Sequence, residues 1–217
     1  MNPSLLLISG WAQSITSLQG INKQLRHRFN TIFLEGHRAI QQKRLPDCDY
    51  IIATSMGALA ALDKIPSPCK KIIILSGTAC FCKKKNYECG VEVRILKRMQ
   101  KQLTQQRQDV LNAFFINANA PFPTSISDSE QSTKDLQIGL EYMIYTDLRE
   151  RIKKIKIPVL IIHGNADIII PVAAAEWLHR HLLKSHLHIL DGVGHDIIIH
   201  ALDEIMKPVN LFLEQNI

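Results

Sequence analysis

Short, almost wholly apolar runs alternate with longer amphipathic stretches along most of this chain. Leu5-Leu6-Leu7-Ile8, Thr31-Ile32-Phe33-Leu34, Tyr50-Ile51-Ile52, Lys71-Ile72-Ile73-Ile74-Leu75, Ile157-Pro158-Val159-Leu160-Ile161-Ile162 and Leu187-His188-Ile189-Leu190 are all of strand length. Apolarity that is mostly continuous marks strands covered on both faces. Between them, residues 14–28 place Ile15, Leu18, Ile21 and Leu25 at helical spacing, and residues 56–62, 173–183 and 201–215 predict further helices. Strand alternating with helix predicts an α/β protein with a mostly parallel, doubly wound sheet.

The rhythm breaks once. From Phe81 to about Arg151 there is no strand candidate. Residues 91–117 predict one long helix, Ala120-Pro121-Phe122-Pro123 ends it, and residues 136–145 predict another. A helical insertion between two sheet strands suits a cap over the strand ends, where open sheets hold their ligands. The expected layout is a core of residues 1–80 and 152–217 with a helical cap of residues 81–151.

Chemistry enters at Ala53-Thr54-Ser55-Met56-Gly57, between an apolar run and a helix rich in small residues. This is the strand–turn–helix layout of a nucleophile elbow, with Ala53 in place of the usual first glycine. A sharp turn there lifts the serine hydroxyl above the sheet, and small neighbours let helix and strand approach. A serine nucleophile needs a base, and the base needs an acid to fix its tautomer, in the chain order Ser, Asp or Glu, His. Asp167 follows one strand in His163-Gly164-Asn165-Ala166-Asp167, and His195 follows the next in Asp191-Gly192-Val193-Gly194-His195. Parallel strands would deliver Ser55, Asp167 and His195 to one edge of the sheet. Competing readings are a helix cap for Asp167, a loop imidazole for His195 and a loop support for His163. Backbone N–H groups of Met56 and of Trp11, after the first strand, are the candidate oxyanion donors, each typically worth ~3 kcal/mol in a transition state. The Trp11 indole either walls the acyl pocket or packs in the core.

At 217 residues the chain is the size of one domain with an insertion, and its 46% hydrophobic content is ordinary for a globular protein. No run approaches the roughly 20 apolar residues of a membrane-spanning helix. The apolar start lacks a basic leader and reads as a first strand and not a signal peptide, so a cytoplasmic location is expected. The odd set Cys48, Cys69, Cys80, Cys82 and Cys89 does not read as a disulfide framework, and Cys80-x-Cys82 lacks the second pair or histidines that zinc requires. No metal is expected. The formal charge is +6, and Lys83, Lys84, Lys85, Arg94, Lys97, Arg98, Lys101 and Arg107 supply much of the excess. That run is either a solvated helix face or a docking surface for an acidic partner. No nucleic-acid motif or interleaved aromatics accompany it, so neither nucleic acid nor a membrane is an expected partner.

Taken together, Ser9-Gly10-Trp11, the Ser55 elbow, His163-Gly164-Asn165-Ala166-Asp167 and Gly192-Val193-Gly194-His195 resemble the α/β-hydrolase superfamily. Within it, the chain is similar to the BioH-type pimeloyl-acyl-carrier-protein methyl esterases of biotin synthesis. That likeness rests on Gly10-Trp11, on Ser76-Gly77-Thr78-Ala79-Cys80-Phe81, and on Gly139-Leu140-Glu141 running to Thr146-Asp147-Leu148-Arg149. The resemblance implies the α/β-hydrolase fold and a monomeric serine esterase, working without a metal or organic cofactor, that demethylates pimeloyl-acyl-carrier-protein methyl ester. It implies docking of the acidic acyl carrier protein through cap arginines, for which Arg94, Arg98 and Arg107 are the candidates. It further implies that Phe114 or Phe115 lines the acyl channel. A general short-acyl carboxylesterase or thioesterase would use the same triad under a different cap. A non-enzymatic scaffold would need a broken triad, and Ser55, Asp167 and His195 are all present. Three departures from the pattern stand out. The chain enters its first strand without the usual leading hairpin. Glu35-Gly36-His37-Arg38 replaces the common Gly-x-Gly-x-Ser turn. The stretch from there to Ser55 is short enough that one helix is expected to be absent.

Overall fold

Each apolar run becomes a strand. The computed structural model describes residues 2–123 and 129–214, and its sheet comprises β1 (Ser4–Ile8), β2 (Asn30–Leu34), β3 (Tyr50–Thr54), β4 (Lys71–Leu75), β5 (Val159–Gly164) and β6 (Ser185–Leu190). They pair in the order β2-β1-β3-β4-β5-β6, and every pairing is parallel. Side chains therefore alternate between two cores. Leu6, Ile8, Ile51, Ala53, Ile72, Ile74 and Ile161 face one, while Leu5, Leu7, Ile52, Ile73, Leu75 and Ile162 face the other. The first is covered by α2 (Gly36–Gln41), α3 (Met56–Asp63) and α8 (Val172–His181). The second lies under α1 (Gln19–Leu25), α9 (Ile197–His200) and α10 (Leu202–Glu214). Lys71, in β4, is buried and its Nζ donates to the Phe212 carbonyl at 2.6 Å, placing a cation at the last described turn of α10.

The helix absent from expectation is present: α2 fills the stretch between β2 and β3. Its six residues are too few to show a period, and it is held by its surroundings. The Ser9 hydroxyl meets the Gly36 N–H at its start, and Lys64 Nζ donates to the carbonyls of Ala39, Ile40 and Gln42 at its end. The long helix expected over residues 91–117 is two, α4 (Val93–Gln102) and α5 (Arg107–Asn119). A straight helix of that length would extend about 40 Å, more than a small domain can cover. Bending at residues 103–106 keeps Leu96, Leu103, Val110 and Phe114 all in one core. Likewise residues 14–28 start as a 3-10 turn, Ile15–Leu18, before α1, and the helix expected over residues 201–215 is α10, Leu202–Glu214, with the separate short α9 ahead of it, Gln215 lying outside the described residues. Between β4 and β5, the regular structure among the described residues is α4, α5, α6 (Thr133–Tyr145) and α7 (Arg149–Ile152), with isolated bridges such as Cys82 to Val91. There α6 packs against α2, α3 and α4, over the C-terminal ends of the strands.

Candidate active site

Ser55 sits between β3 and α3 with φ +52° and ψ −120°, a conformation that L-residues adopt only under constraint. The constraint is visible on both sides. Its N–H is tied to the Leu75 carbonyl of β4 at 3.0 Å, and its own carbonyl accepts from Ala58 N–H at 3.0 Å. Two residues on, a Cβ at Gly57 would lie 2.4 Å from the Ser9 carbonyl oxygen, so only glycine lets α3 approach β1 this closely. Ala53, the substituted elbow position, is fully buried and keeps the turn.

The turn aims the hydroxyl at His195. Ser55 Oγ is 2.9 Å from His195 Nε2, and His195 Nδ1 is 2.7 Å from Asp167 Oδ2. Because a carboxylate only accepts, Nδ1 carries the proton and Nε2 is free to receive one from the hydroxyl. Asp167 is itself fixed: its Oδ1 accepts from the Ile169 and Ile170 N–H groups at 2.7 and 2.8 Å. Burial alone would push the Asp167 pKa up, but the charge of His195 and hydrogen bonds from His163 and His195 outweigh it and hold the carboxyl well below the usual range. For His195 burial opposes the charge, yet the charge and hydrogen bond of Asp167, with the charge of Asp196, raise its pKa above the ordinary imidazole value. Such a pair keeps the acid ionised wherever the base is neutral.

Beside the hydroxyl runs the turn after β1. A Cβ placed on Gly10 would sit 3.1 Å from Ser55 Cβ, so the Gly10–Trp11 peptide lies against Ser55. Met56 opens α3, where its N–H has no acceptor within the helix. In front of Ser55 opens a chamber of about 500 Å³ with walls from Trp11, Phe81, Leu96, Val110, Phe114 and Met143. Arg98, Gln106 and Asp109, all exposed, also border it. The Trp11 indole is fixed by an edge-on contact with Phe114, ring centroids 4.8 Å apart, and by its N–H donating to the Leu136 carbonyl of α6 at 2.8 Å.

A family model described as serine aminopeptidase, S33 (Hydrolase_4), matches residues 31–201, a span that holds Ser55, Asp167 and His195. The chain belongs to this family. Among solved structures, an esterase from Exiguobacterium antarcticum superposes with a TM-score of 0.84 at 17% identity, over 99% of this chain and 93% of the other. A bromoperoxidase from Bacillus anthracis does so with a TM-score of 0.84 at 18% identity and the same coverage. The fold is that of the α/β-hydrolases. By sequence, the hydrolase is 26% identical to the pimeloyl-[acyl-carrier protein] methyl ester esterase of Nitrosomonas europaea, over 89% of this chain and 88% of that one. It is 28% identical to the protein of that name from Xylella fastidiosa strain M23, over 80% of each.

Of the residues singled out in the sequence of this hydrolase, Ser55, His195 and Asp167 are joined, and Trp11, Met56 and Phe114 stand around them. Phe115 is not in the chamber. It borders a separate cavity with Gln13, Asn119 and Asp196, because adjacent helix positions point about 100° apart. Arg94 and Arg98, one turn apart on α4, are exposed on the same side as Lys97 and Lys101. Arg107 is not part of that face: it is half-buried, with its guanidinium donating to the Ser129 and Gln131 carbonyls. Cys80 and Cys82 are buried thiols, and burial pushes Cys80 up to about 12. Three supporting residues carried no signal in the sequence strong enough to assign them. Ser76 donates its hydroxyl to the His195 carbonyl, Gln13 accepts from the Gly10 N–H and donates to Asp196, and His163 lies against Asp167.

Proposed function

We propose that this carboxylic ester hydrolase removes the methyl group from the methyl ester of pimeloyl-acyl-carrier protein, with Ser55 as nucleophile, His195 as base and Asp167 as the acid that orients it. The observation that carries the reading is the 2.9 Å approach of the Ser55 hydroxyl to His195 at an apolar chamber bordered by a basic helix. The names of the relatives supply the substrate. Residues 81–151 act as the cap, and the cytoplasm is the proposed site of action.

In the first half-reaction Ser55 Oγ attacks the ester carbonyl carbon as His195 Nε2 takes its proton. Asp167 stabilises the imidazolium, and the N–H groups of Trp11 and Met56 hold the oxyanion. His195 then gives the proton to the departing methoxide, methanol leaves, and the acyl group stays on Ser55. Water attacks next, losing its proton to His195, and the free carboxylate departs as Ser55 is reprotonated. The chamber suits a chain of methylenes, and its basic approach suits an acidic carrier protein on the far end of that chain. The α4 arginines, Arg94 and Arg98, are the proposed contacts.

The test compares pimeloyl-acyl-carrier-protein methyl ester with free dimethyl pimelate on the same enzyme. A kcat/KM strongly favouring the carrier-bound ester supports the assignment, as does restored biotin-independent growth of a strain lacking the methyl esterase. Equal turnover of the two esters would instead mark a general short-acyl carboxylesterase.

A further inference from the structure

We propose that His163 is a positioning residue: a second imidazole on the Asp167 carboxylate that holds the acid in register with His195. The inference rests on the triad reading above and adds a fourth member to it.

His163 is the penultimate residue of β5, and the tight turn after it, closed by Asp167 N–H on the Gly164 carbonyl at 3.3 Å, folds Asp167 back over the strand end. His163 Nε2 thereby comes within 3.2 Å of Asp167 Oδ2 and 2.9 Å of the Ile170 carbonyl oxygen, with neither side chain exposing any surface. Both neighbours can only accept, so Nε2 carries the proton and shares it between them. The same Oδ2 receives His195 Nδ1–H at 2.7 Å. Two imidazoles therefore converge on one oxygen, while two backbone N–H groups hold the other.

The arrangement comes at a disadvantage that a purely structural role would not need. His163 Nδ1 is buried with no hydrogen-bond partner among the described residues. A phenylalanine or leucine would fill the same space without burying that unmet nitrogen, at the cost of the donor to the Ile170 carbonyl. What the imidazole adds is a donor at Oδ2, and that donor resists rotation of the carboxylate away from His195. The backbone N–H groups cannot do so alone, because they grip only Oδ1. The other charged group acting on His195, Asp196, follows it directly in the chain and is common to every variant below.

The experiment uses the full chain with a short p-nitrophenyl ester, comparing wild type, His163→Phe and His163→Gln, whose amide nitrogen reaches the same acceptors. For His163→Phe the expected result is a fall in kcat of about tenfold to a hundredfold, the usual cost of losing an outer partner, with KM little changed. The acid limb of its kcat/KM profile moves to lower pH, because a displaced carboxylate no longer supports the imidazolium. His163→Gln recovers most of the rate and returns the limb. Wild-type kcat and an unmoved limb in folded His163→Phe overturn the proposal, as does a His163→Gln enzyme that is folded and no better than His163→Phe. Should His163→Phe fail to fold, nitrogen NMR of the wild-type imidazoles decides: a proton on Nε2 of His163 supports the proposal and a proton on Nδ1 alone overturns it. Failure of the triad itself would look different, since Ser55→Ala would then keep its activity whatever His163 does.

Discussion

The Ser76 hydroxyl donates to the main-chain carbonyl of His195 at 2.7 Å, so the residue that follows β4, the strand beside Ser55, also holds His195. Ser76 ends β4 in a left-handed conformation, φ +48°, and its N–H is bound to the Ile162 carbonyl of β5 at 2.9 Å. Leu75, one residue earlier, receives the Ser55 N–H. Ser55 and His195 are thus held by two adjacent residues, Leu75 and Ser76. Replacing Ser76 by alanine leaves the His195 carbonyl only its second donor, the Ile197 N–H at 3.0 Å, and losing one such hydrogen bond costs about 0.5–1.5 kcal/mol. The expected melting point falls by about 2–4 °C for each kcal/mol in a domain of this size, together with a loss of kcat, both read on one preparation.

The raised pKa of His195 sets the pH dependence. Protonated, it cannot accept from Ser55, so kcat/KM rises with pH along a limb centred above the roughly 6.5 of an ordinary imidazole. Stability moves the opposite way over the same window. Because its folded pKa is raised, the His195 contribution is complete below about 6.5 and is lost as pH climbs through the folded value. Asp167, whose pKa is lowered, contributes fully above about 4 and loses that contribution only as pH drops through its folded value. Denaturant titrations across pH 6 to 9 on wild type and His195→Gln check this: the wild type loses more stability with rising pH than the variant, and equal slopes would contradict it.

The outer face of α4 predicts a split between substrates. Arg94→Glu reverses an exposed charge that does not border the chamber. The expected result is a fall of about five- to tenfold in kcat/KM for the carrier-bound ester at low salt, fading as salt screens the contact. Turnover of a free short ester stays at the wild-type rate.

Lys64 offers the converse case, stability without chemistry. Its ammonium caps α2 through three carbonyls, and a shared charged donor of this kind contributes roughly 1.5–3 kcal/mol net of hydration. Lys64→Met lowers the melting temperature by several degrees, by the same roughly 2–4 °C per kcal/mol, while kcat/KM per folded molecule is unchanged. Calorimetry with active-site titration separates the two quantities.

How much of this was legible beforehand follows from which forces act locally. The strands showed because burial on both faces demands uninterrupted apolar residues, and Ser55, Asp167 and His195 showed because each leaves a separate strand in the order that parallel topology requires. The short α2 did not show: Ala39 and Ile40 are its buried aliphatic side chains, and its ends depend on Ser9 and Lys64, distant in sequence. Nor did the bend at residues 103–106, because helical spacing of apolar residues continues across it and only the shared core breaks the helix. The choice between Phe114 and Phe115 turned on the rotation of α5 about its axis, which tertiary packing fixes. His163 had a place at a strand end and read as a support of the loop, its contact with Asp167 hidden because the turn that folds Asp167 onto it exists only in three dimensions.

Reaction of the native enzyme with a fluorophosphonate, followed by mass spectrometry of its peptides, tests the central claim most directly. The expected result is one phosphonyl adduct per chain on Ser55, absent from Ser55→Ala and strongly slowed in His195→Ala. Label on another residue, or equal labelling of folded Ser55→Ala, would contradict the account.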